Sequence, residues 1–576
     1  MRMHRSRSVA ALLAIVAITG CGKKVDLDAP LAFAPADTPY VIANLEPLPQ
    51  AAVARMADQM QASWSLALPM VDKLIDGALA KNASDDTAAG QIDAKSARVA
   101  KAILAEIRTR DTPEKWQQVG LGPNVRSAIY GVGILPVMRV ELADVDAFRA
   151  MVARVEQNAG DKLATARVGE QDVWTIGDAH AQVLIAIEGK HLVATVVPGT
   201  ADEAMKRRAL GLDRPASSLA ETDAVGVFNK ARGYLPYGSG WIDTRRVLAL
   251  VNDDPAIAAF AEKAGMPKTA LDATCRSELD AIAAKMPRFG FGYTAFDADK
   301  MAVHARLDLD PALAKSLAAL PGALPGARSP NALFDLAFAL PILRGRDFLV
   351  AQADAIAAAP YKCALLADLN EAATESKAKL DQTIPPPIAD LSGARATLDS
   401  LVLPDAATSK ELEFSGRILI GSSNPSFLTG LAQMAVPGLQ KITLAPDGKA
   451  VAIPSDALPG DIGGKFELYV AMTPTVLGIS VGKDQAAKLE AAVAAKPASA
   501  GTLLETNVSG AIYTLAADGM QQYADKLPPD PDMREMLESQ RKMYALYAQW
   551  FRQIDFNVAF GADGIDFQET VDFAKH

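Results

Sequence analysis

Apolar and polar residues alternate in several short runs, the two-residue period of a strand with one buried face. Residues 288–296 and 301–309 alternate around Asp297-Ala298-Asp299-Lys300, which predicts a hairpin with a polar turn. Residues 173–198 predict further hairpin strands turning at Gly189-Lys190, and residues 466–481 read similarly. Each of these runs leads into a helical stretch, at about residues 201–210 and 484–495. A 3.6-residue spacing links Met533, Met536, Leu537, Met543, Tyr544, Tyr547, Trp550 and Phe551, which predicts a helix with a broad core-facing stripe. Hairpins separated by helices predict an α+β fold, largely antiparallel sheets packed with helices.

The same landmarks occur twice in the same order. Leu219-Ala220-Glu221-Thr222 matches Leu503-Leu504-Glu505-Thr506, and Ser239-Gly240-Trp241-Ile242-Asp243-Thr244 matches Ser509-Gly510-Ala511-Ile512-Tyr513-Thr514. Ala295-Phe296-Asp297-Ala298-Asp299 matches Ala559-Phe560-Gly561-Ala562-Asp563, with Asp308 then matching Asp572. The offsets, 284, 270 and 264, fall smoothly if the first copy carries 14 extra residues around 228–238 and six more downstream. Residues 36–45 and 331–340 both read as the strand that opens a unit. The expectation is two tandem similar modules, residues 31–325 and 326–576, each built as strand–helix, hairpin–helix, hairpin–helix, strand–helix and a final hairpin. The Pro/Gly cluster at 320–330 punctuates the chain between them. Residues 83–91 read as a loop, and Pro385-Pro386-Pro387 as an extended connection.

Composition narrows the partners. The chain has 576 residues, half of them apolar but only 6% aromatic, which suits several globular domains and not disorder. Its 68 acidic against 58 basic residues give a formal charge of −10, the wrong sign for a nucleic-acid surface.

The first twenty residues form an address. Arg2, Arg5 and Arg7 precede a ten-residue apolar run, residues 9–18, too short for the roughly 20 residues that span a bilayer but suited to a secretory signal. The run ends in Ile18-Thr19-Gly20-Cys21, which resembles the lipobox of bacterial lipoproteins. That resemblance implies cleavage before Cys21 and lipidation of Cys21, with residues 1–20 as signal peptide and 21–30 as a lipidated tether. Removing three Arg and no acid leaves a mature charge of −13. Gly22, where Asp would mark inner-membrane retention, resembles the outer-membrane-sorted class. Lys23 and Lys24 stand beside the anchor, where anionic head groups attract them. The body resembles duplicated bacterial secreted proteins of unknown function whose units open with a stretch like Pro35-Ala-Asp-Thr-Pro-Tyr40, a resemblance that brings no activity with it.

Candidate chemistry is sparse. Gly478-Ile-Ser480-Val-Gly482 has the spacing of a nucleophile elbow but falls inside a predicted strand. Gly290-Phe-Gly292-Tyr-Thr-Ala295 has the spacing of a dinucleotide fingerprint, also inside a strand. Gly463-Gly464-Lys465 lacks the rest of a phosphate loop. His4, His180, His191, His304 and His576 show no metal-ligand spacing, so neither metal nor cofactor is expected. Asp297 and Asp299 read as a solvated turn. Tyr234, Tyr237 and Trp241 lie in or beside the extra residues of the first copy, amid Pro236, Gly238 and Gly240, and form a candidate recognition loop. Once Cys21 is lipidated, Cys275 and Cys363 remain, one on each side of the Pro/Gly cluster, and an oxidising compartment favours a disulfide between them.

The expectation is an outer-membrane, lipid-anchored protein on the periplasmic face, with a non-enzymatic binding or assembly role toward an envelope protein. A periplasmic binder of a hydrophobic or lipid-like ligand held between the two modules is the rival, and an enzyme the third. Replacing Cys21 with Ser should abolish labelling by a palmitate analogue and release the protein from the outer-membrane fraction. Continued labelling of Cys21→Ser would refute the anchor.

Overall fold

The computed structural model describes residues 25–82, 94–110, 112–122, 125–177, 181–253, 271–404, 411–457, 466–496, 501–524 and 531–575. Cys21, Gly22, the lysines beside them, the 83–91 loop, His180 and Gly463-Gly464-Lys465 lie outside those residues.

The first half contains strands β1 (Tyr40–Asn44), β2 (Ser127–Val132), β3 (Leu135–Glu141), β4 (Thr165–Val168), β5 (Gln171–Gly177), β6 (Ala181–Glu188), β7 (His191–Pro198), β8 (Ser239–Asp243), β9 (Arg288–Phe296) and β10 (Lys300–Asp308). Its helices are α1 (Gln50–Asn82), α2 (Ala94–Arg108), α3 (Pro113–Gln117), α4 (Val145–Ala159), α5 (Glu203–Leu210), α6 (Leu219–Thr222), α7 (Ala224–Arg232), α8 (Thr244–Asp253) and α9 (Ala273–Lys285). Helix α10 (Pro311–Ala318) leads to the second half. There the strands are β11 (Phe334–Phe338), β12 (Leu391–Val402), β13 (Glu413–Ser422), β14 (Val451–Ile453), β15 (Leu468–Met472), β16 (Val476–Val481), β17 (Thr502–Ser509), β18 (Phe551–Phe560) and β19 (Gly564–Phe573). The helices are α11 (Ile342–Ala358), α12 (Ala367–Leu380), α13 (Pro425–Ala435), α14 (Gln485–Ala494), α15 (Ala511–Ala524) and α16 (Pro531–Trp550). None of the described helices is long and apolar enough to cross a membrane.

Local chemistry sets many of these boundaries. Asp144 and Asp202 cap α4 and α5 by accepting from backbone N–H groups three residues on, and Gly160 and Gly211 end the same helices at φ 70° and 75°. In β7 every second residue from His191 to Val197 is buried, the period that fixes register against its neighbours.

Among the described residues, nineteen strands join one antiparallel sheet. Read across the hydrogen-bonded neighbours, the first half runs β4-β5-β6-β7-β3-β2-β1-β8-β9-β10. The second runs β19-β18-β17-β11-β12-β13-β16-β15-β14. Apart from β4, each strand of the first order has a counterpart at the same place in the second. The two orders meet where β10 pairs with β19. Phe296 and Phe560 close their hairpins alike, opposite Met301 and Ile565 respectively, an offset of 264 residues. By that offset His304 corresponds to Gln568, and these two face each other at the middle of the β10–β19 ladder. The seam therefore has local twofold symmetry.

Helices cross the seam in both directions. Cys275 of α9 is disulfide-bonded to Cys363, at 4.5 Å between Cα atoms, in the connection between α11 and α12. Glu278 of α9 accepts from the backbone N–H groups of Lys362 and Cys363. Cys363 precedes a short 3-10 turn, which leaves its backbone N–H free to bond Glu278. On the other side α1 packs on α16, with Lys73 and Glu535 paired at 2.5 Å. Both groups are well exposed, so that pair contributes little. Arg55 of α1 donates to the Asp297 carbonyl at 2.6 Å and lies 3.6 Å from the ring centre of Phe573 at the end of β19. In α16, Leu537 and Trp550 are buried while Met533 and Met536 stay exposed, so the predicted stripe only partly faces the core.

The Pro/Gly cluster is no loose hinge. Leu324 is buried with Ala337 and Ala339, Pro325 accepts from Arg395 at 2.9 Å, and Arg328 pairs with Asp555. The segment thus packs on the second half's sheet.

The bond between Cys275 and Cys363, 88 residues apart, constrains the unfolded chain. On the chain-entropy account, replacing both cysteines with Ala should lower stability by about 4–5 kcal/mol. Denaturant melts of the oxidised protein and of the double variant check this, and equal midpoints would refute it.

Candidate functional site

The clearest difference between the halves lies between a helix and the strand that follows it. From α5 to β8 the first half passes through residues 211–238, whereas the second passes from α14 to β17 through residues 495–501. The additional stretch folds as α6 and α7. A capping box starts α6: the Ser218 hydroxyl accepts from the Glu221 N–H, and the Glu221 carboxylate accepts from the Ser218 N–H. The two helices meet at Asp223, whose φ of 47° is left-handed and uncommon away from glycine.

The aromatic residues singled out in this region do not form an exposed recognition loop. Tyr234, Tyr237 and Trp241 are all buried, at 7%, 9% and 6% exposure. Phe228 stacks edge-on against Trp241 with ring centres 5.0 Å apart. The glycines explain the packing. A Cβ on Gly290 would come 2.7 Å from the Phe228 ring, and one on Gly292 would come 2.6 Å from that of Tyr234. The fingerprint-like glycines are thus a floor for these rings. The Tyr234 hydroxyl contacts His304 Nδ1 at 3.2 Å, and His304 Nε2 contacts Asp566 at 2.7 Å. An ionised carboxylate only accepts, so Nε2–H donates to Asp566, and Nδ1 is left to meet the tyrosine hydroxyl. Burial pushes the Tyr234 phenol up to about 12, so it is a neutral donor. Burial also works to raise the Asp566 carboxyl, but hydrogen bonds from His304 and Arg306 outweigh it and hold it below the usual range. The triplet ties the first half's insertion to the second half's last strand.

The insertion's other side chains build a cavity. With residues 25–31 and the adjoining ends of β1 and β2 they line a half-open cavity of about 690 Å³, a size common for small-molecule sites. Leu31, Leu45, Leu219 and Val225 supply apolar wall, and Tyr234 contributes its ring. The charged lining is Asp26, Glu46, Glu221 and Asp223 against Arg126 and Lys230. Arg126 pairs with Glu141 at 2.6 Å and Asp26 at 2.8 Å, and the hydrogen bond to Glu141 raises its pKa further. Asn229 is buried in the wall, with its Nδ2 donating to the Leu235 carbonyl. Sequence reasoning marked this insertion by its extra length. Of the residues it singled out, Tyr234 lines the cavity, while Asn229, Asp223 and Lys230 carry no spacing signal.

One wall depends on a stack. Phe33, just beyond the lining residue Leu31, lies between the guanidinium groups of Arg139 and Arg214, each 3.5 Å from its ring centre. Arg139 is fully buried, donates to the Leu210 carbonyl at 2.6 Å, and donates to His191 Nδ1 at 3.4 Å. Burial, and next the charge of Arg139, push His191 down to about 4.

A second, apolar groove of about 430 Å³ lies between α1 and α3, lined by Met56, Met60 and Trp116 among others. Both cavities fall within residues 25–236, inside the first half. Ser480 sits in β16, buried and in extended backbone, with no elbow around it. Asp297 accepts from the N–H groups of Asp299 and Lys300 and simply shapes the hairpin turn. Among the described residues no three His, Cys, Asp or Glu side chains gather to hold a metal. Comparison with protein-family models, with curated proteins and with solved structures finds no match.

His191 makes the stack pH-sensitive. Its unfolded value of about 6.5 exceeds its folded value of about 4, so the unfolded chain binds the extra proton between them. Stability should be full above pH 6.5 and fall as pH drops toward 4, by up to about 3 kcal/mol from this group. Denaturant melts of His191→Gln should lack that part of the acid loss, and identical pH profiles for both proteins would contradict it.

Proposed function

We propose that this chain is a lipid-anchored envelope protein, held at the outer membrane through Cys21, with a non-enzymatic binding role and its ligand site in the first-half cavity. The observation that carries the reading is the insertion at residues 211–238. It is additional to the sister half, it is braced by a capping box and by aromatic rings packed on Gly290 and Gly292, and it lines a half-open cavity with both charged and apolar residues. The cavity's other wall is residues 25–31, which include most of the expected tether at 21–30, so a ligand would bind close to the lipid surface. The strand order repeated from one half to the other supports an internal duplication, with one copy altered for binding and the other kept as framework. A lipid-like ligand remains the second reading, favoured by the apolar groove at Met56, Met60 and Trp116.

Native mass spectrometry of mature Cys21→Ser protein purified from the envelope compartment tests the reading. A small-molecule adduct should be present and should vanish in Ala220→Phe, which fills the cavity from the insertion side. An adduct that survives Ala220→Phe, or the absence of any adduct, counts against this cavity as the ligand site.

A further inference from the structure

The face of the sheet turned away from the insertion is apolar from one half to the other. The pairing registers align one residue from each of the twelve adjacent strands between β3 and β13. The row starts at Met138, passes Ile42, crosses the seam where Ala305 faces Phe567, passes Phe338 and ends at Ile420. None of its members carries a charged or hydrogen-bonding side chain. Gly240 aside, every one of them is at least partly exposed, with Met138, Ile42 and Phe338 at 39%, 39% and 41%. Two residues along their strands, on the same face, Ile242, Leu336 and Ile418 are exposed as well. At about 4.8 Å per strand the row runs roughly 50 Å. Proteins in water rarely leave so long an apolar surface uncovered without a use for it.

Corresponding helices close the row at its two ends. Over β5–β7, Phe148 of α4 packs with Trp174, Ile187 and Leu192. Over β15 and β16, Leu428 of α13 packs with Met472 and Leu477. In the first half α2 stacks on α4, Ala102 meeting Val155 and Ala159, and α1 contacts both α2 and α16. The α1–α2 arm therefore stands on the apolar side of the sheet. The seam's twofold keeps each face of the sheet on its own side, so it sets the corresponding α11–α12 arm there too. The outcome is a trough with an apolar floor, closed ends and helical arms beside it. The apolar groove at Met56, Met60 and Trp116 adjoins its α4 end, sharing Leu121 with the cluster that seats α4.

The floor's chemistry selects its occupant. Protein interfaces carry about one hydrogen bond per 100–200 Å², and along this row the side chains offer none while the backbone is committed to the sheet. A second copy of the sheet would have to approach within about 10 Å, which α2 stacked on α4 prevents. Hydrocarbon asks for neither hydrogen bonds nor a flat approach. Length sets the number of chains: the hydrocarbon core of a bilayer is about 30 Å across two leaflets, so one acyl chain reaches about 15 Å and the floor has room for several. We propose that this face is a trough for the acyl chains of diacyl phospholipid, with the head groups left to water. The trough is separate from the first-half cavity, and the proposal does not rest on a ligand there.

Site-specific photocross-linking on the mature Cys21→Ser protein tests this. p-Benzoylphenylalanine replaces Ile129 or Phe338 on the floor, or Val227, an exposed residue of α7 on the other side of the sheet. The probe is vesicles of phosphatidylethanolamine and phosphatidylglycerol carrying head-group-labelled phosphatidylethanolamine. Label should transfer to positions 129 and 338 at least ten-fold more than to 227. Unlabelled diacyl phosphatidylethanolamine should compete at least ten-fold better than palmitate. Ile42→Glu with Leu336→Glu, both at exposed positions, should cut the transfer about ten-fold with an unchanged melting transition, because a carboxylate on the floor resists burial under hydrocarbon. Ala220→Phe, which fills the first-half cavity, should leave the transfer as it was. No transfer at 129 and 338, equal transfer at 227, or cross-links there to protein instead of lipid would overturn the trough. Loss of transfer in Ala220→Phe would move the lipid to the first-half cavity and overturn it too. Palmitate competing as well as diacyl lipid would overturn the diacyl assignment.

Discussion

The ladder between β10 and β19 is the constraint on which the molecule depends. It pairs every residue from Lys300 to Asp308 with a partner from Asp572 to Gly564, and it is the sheet's passage from one half to the other. Because His304 meets its own counterpart Gln568 at the centre, whatever one half places at the seam the other places at a mirrored distance. The helical layer obeys the same rule. The first half's closing helices receive the second half's opening pair, and the second half's closing helices receive α1. Only one of these two crossings is covalent. The disulfide therefore breaks a symmetry that the backbone keeps, and the opposite crossing relies on Arg55 and side-chain packing.

Within that common frame the two halves solve burial differently. One row across the first half reads Thr195, Val137, Tyr130, Val41, Trp241, Gly290. The corresponding row across the second reads Ser480, Arg417, Thr397, Asp335, Asn507, Asp555. The first is a hydrophobic core covered by the insertion. The second is a network: Arg395 pairs with Asp335, Thr397 donates to Asp335 at 2.7 Å, Asn507 donates to Asp555 at 2.7 Å, and the Pro/Gly segment supplies Arg328 and Ser329. Buried charges are tolerated only when paired and hydrogen-bonded. Here the covering segment brings the partners, which is why it is pinned to the second half.

This divergence explains what could be read from the amino-acid sequence and what could not. The hairpin at 288–309, the helices after β7 and β16, and the Cys275–Cys363 bond follow from alternation, periodicity and parity, whereas Phe551, read as the end of the helical stripe, opens β18. The hairpin-tip landmark at Phe296 and Phe560 was legible because tips keep their turn residues. The match of Ser239 to Ser509 slid by four residues. Pairing sets Ser239 opposite Ala43 and Glu505 opposite Ala337, so those two positions correspond. A pattern search expects a buried strand position to stay apolar, and in the second half it has become Asn507 or Asp335. The cavity was legible only as extra length, because Asn229, Asp223 and Arg126 come from separate elements whose meeting no local spacing records.

The seam also has a consequence for how the chain can be divided. Cut in the segment before β11, each half would keep its own hairpins and helices but expose a long, unpaired edge strand, β10 or β19. Such an edge is a template for any strand that presents itself. Covalent linkage supplies the matching edge at an effective concentration in the millimolar range for short connections, far above that of any competing chain in solution. The polypeptide between α10 and β11 therefore acts as a chaperone in cis: it ensures that the stickiest surface of each half meets the one partner whose register closes it.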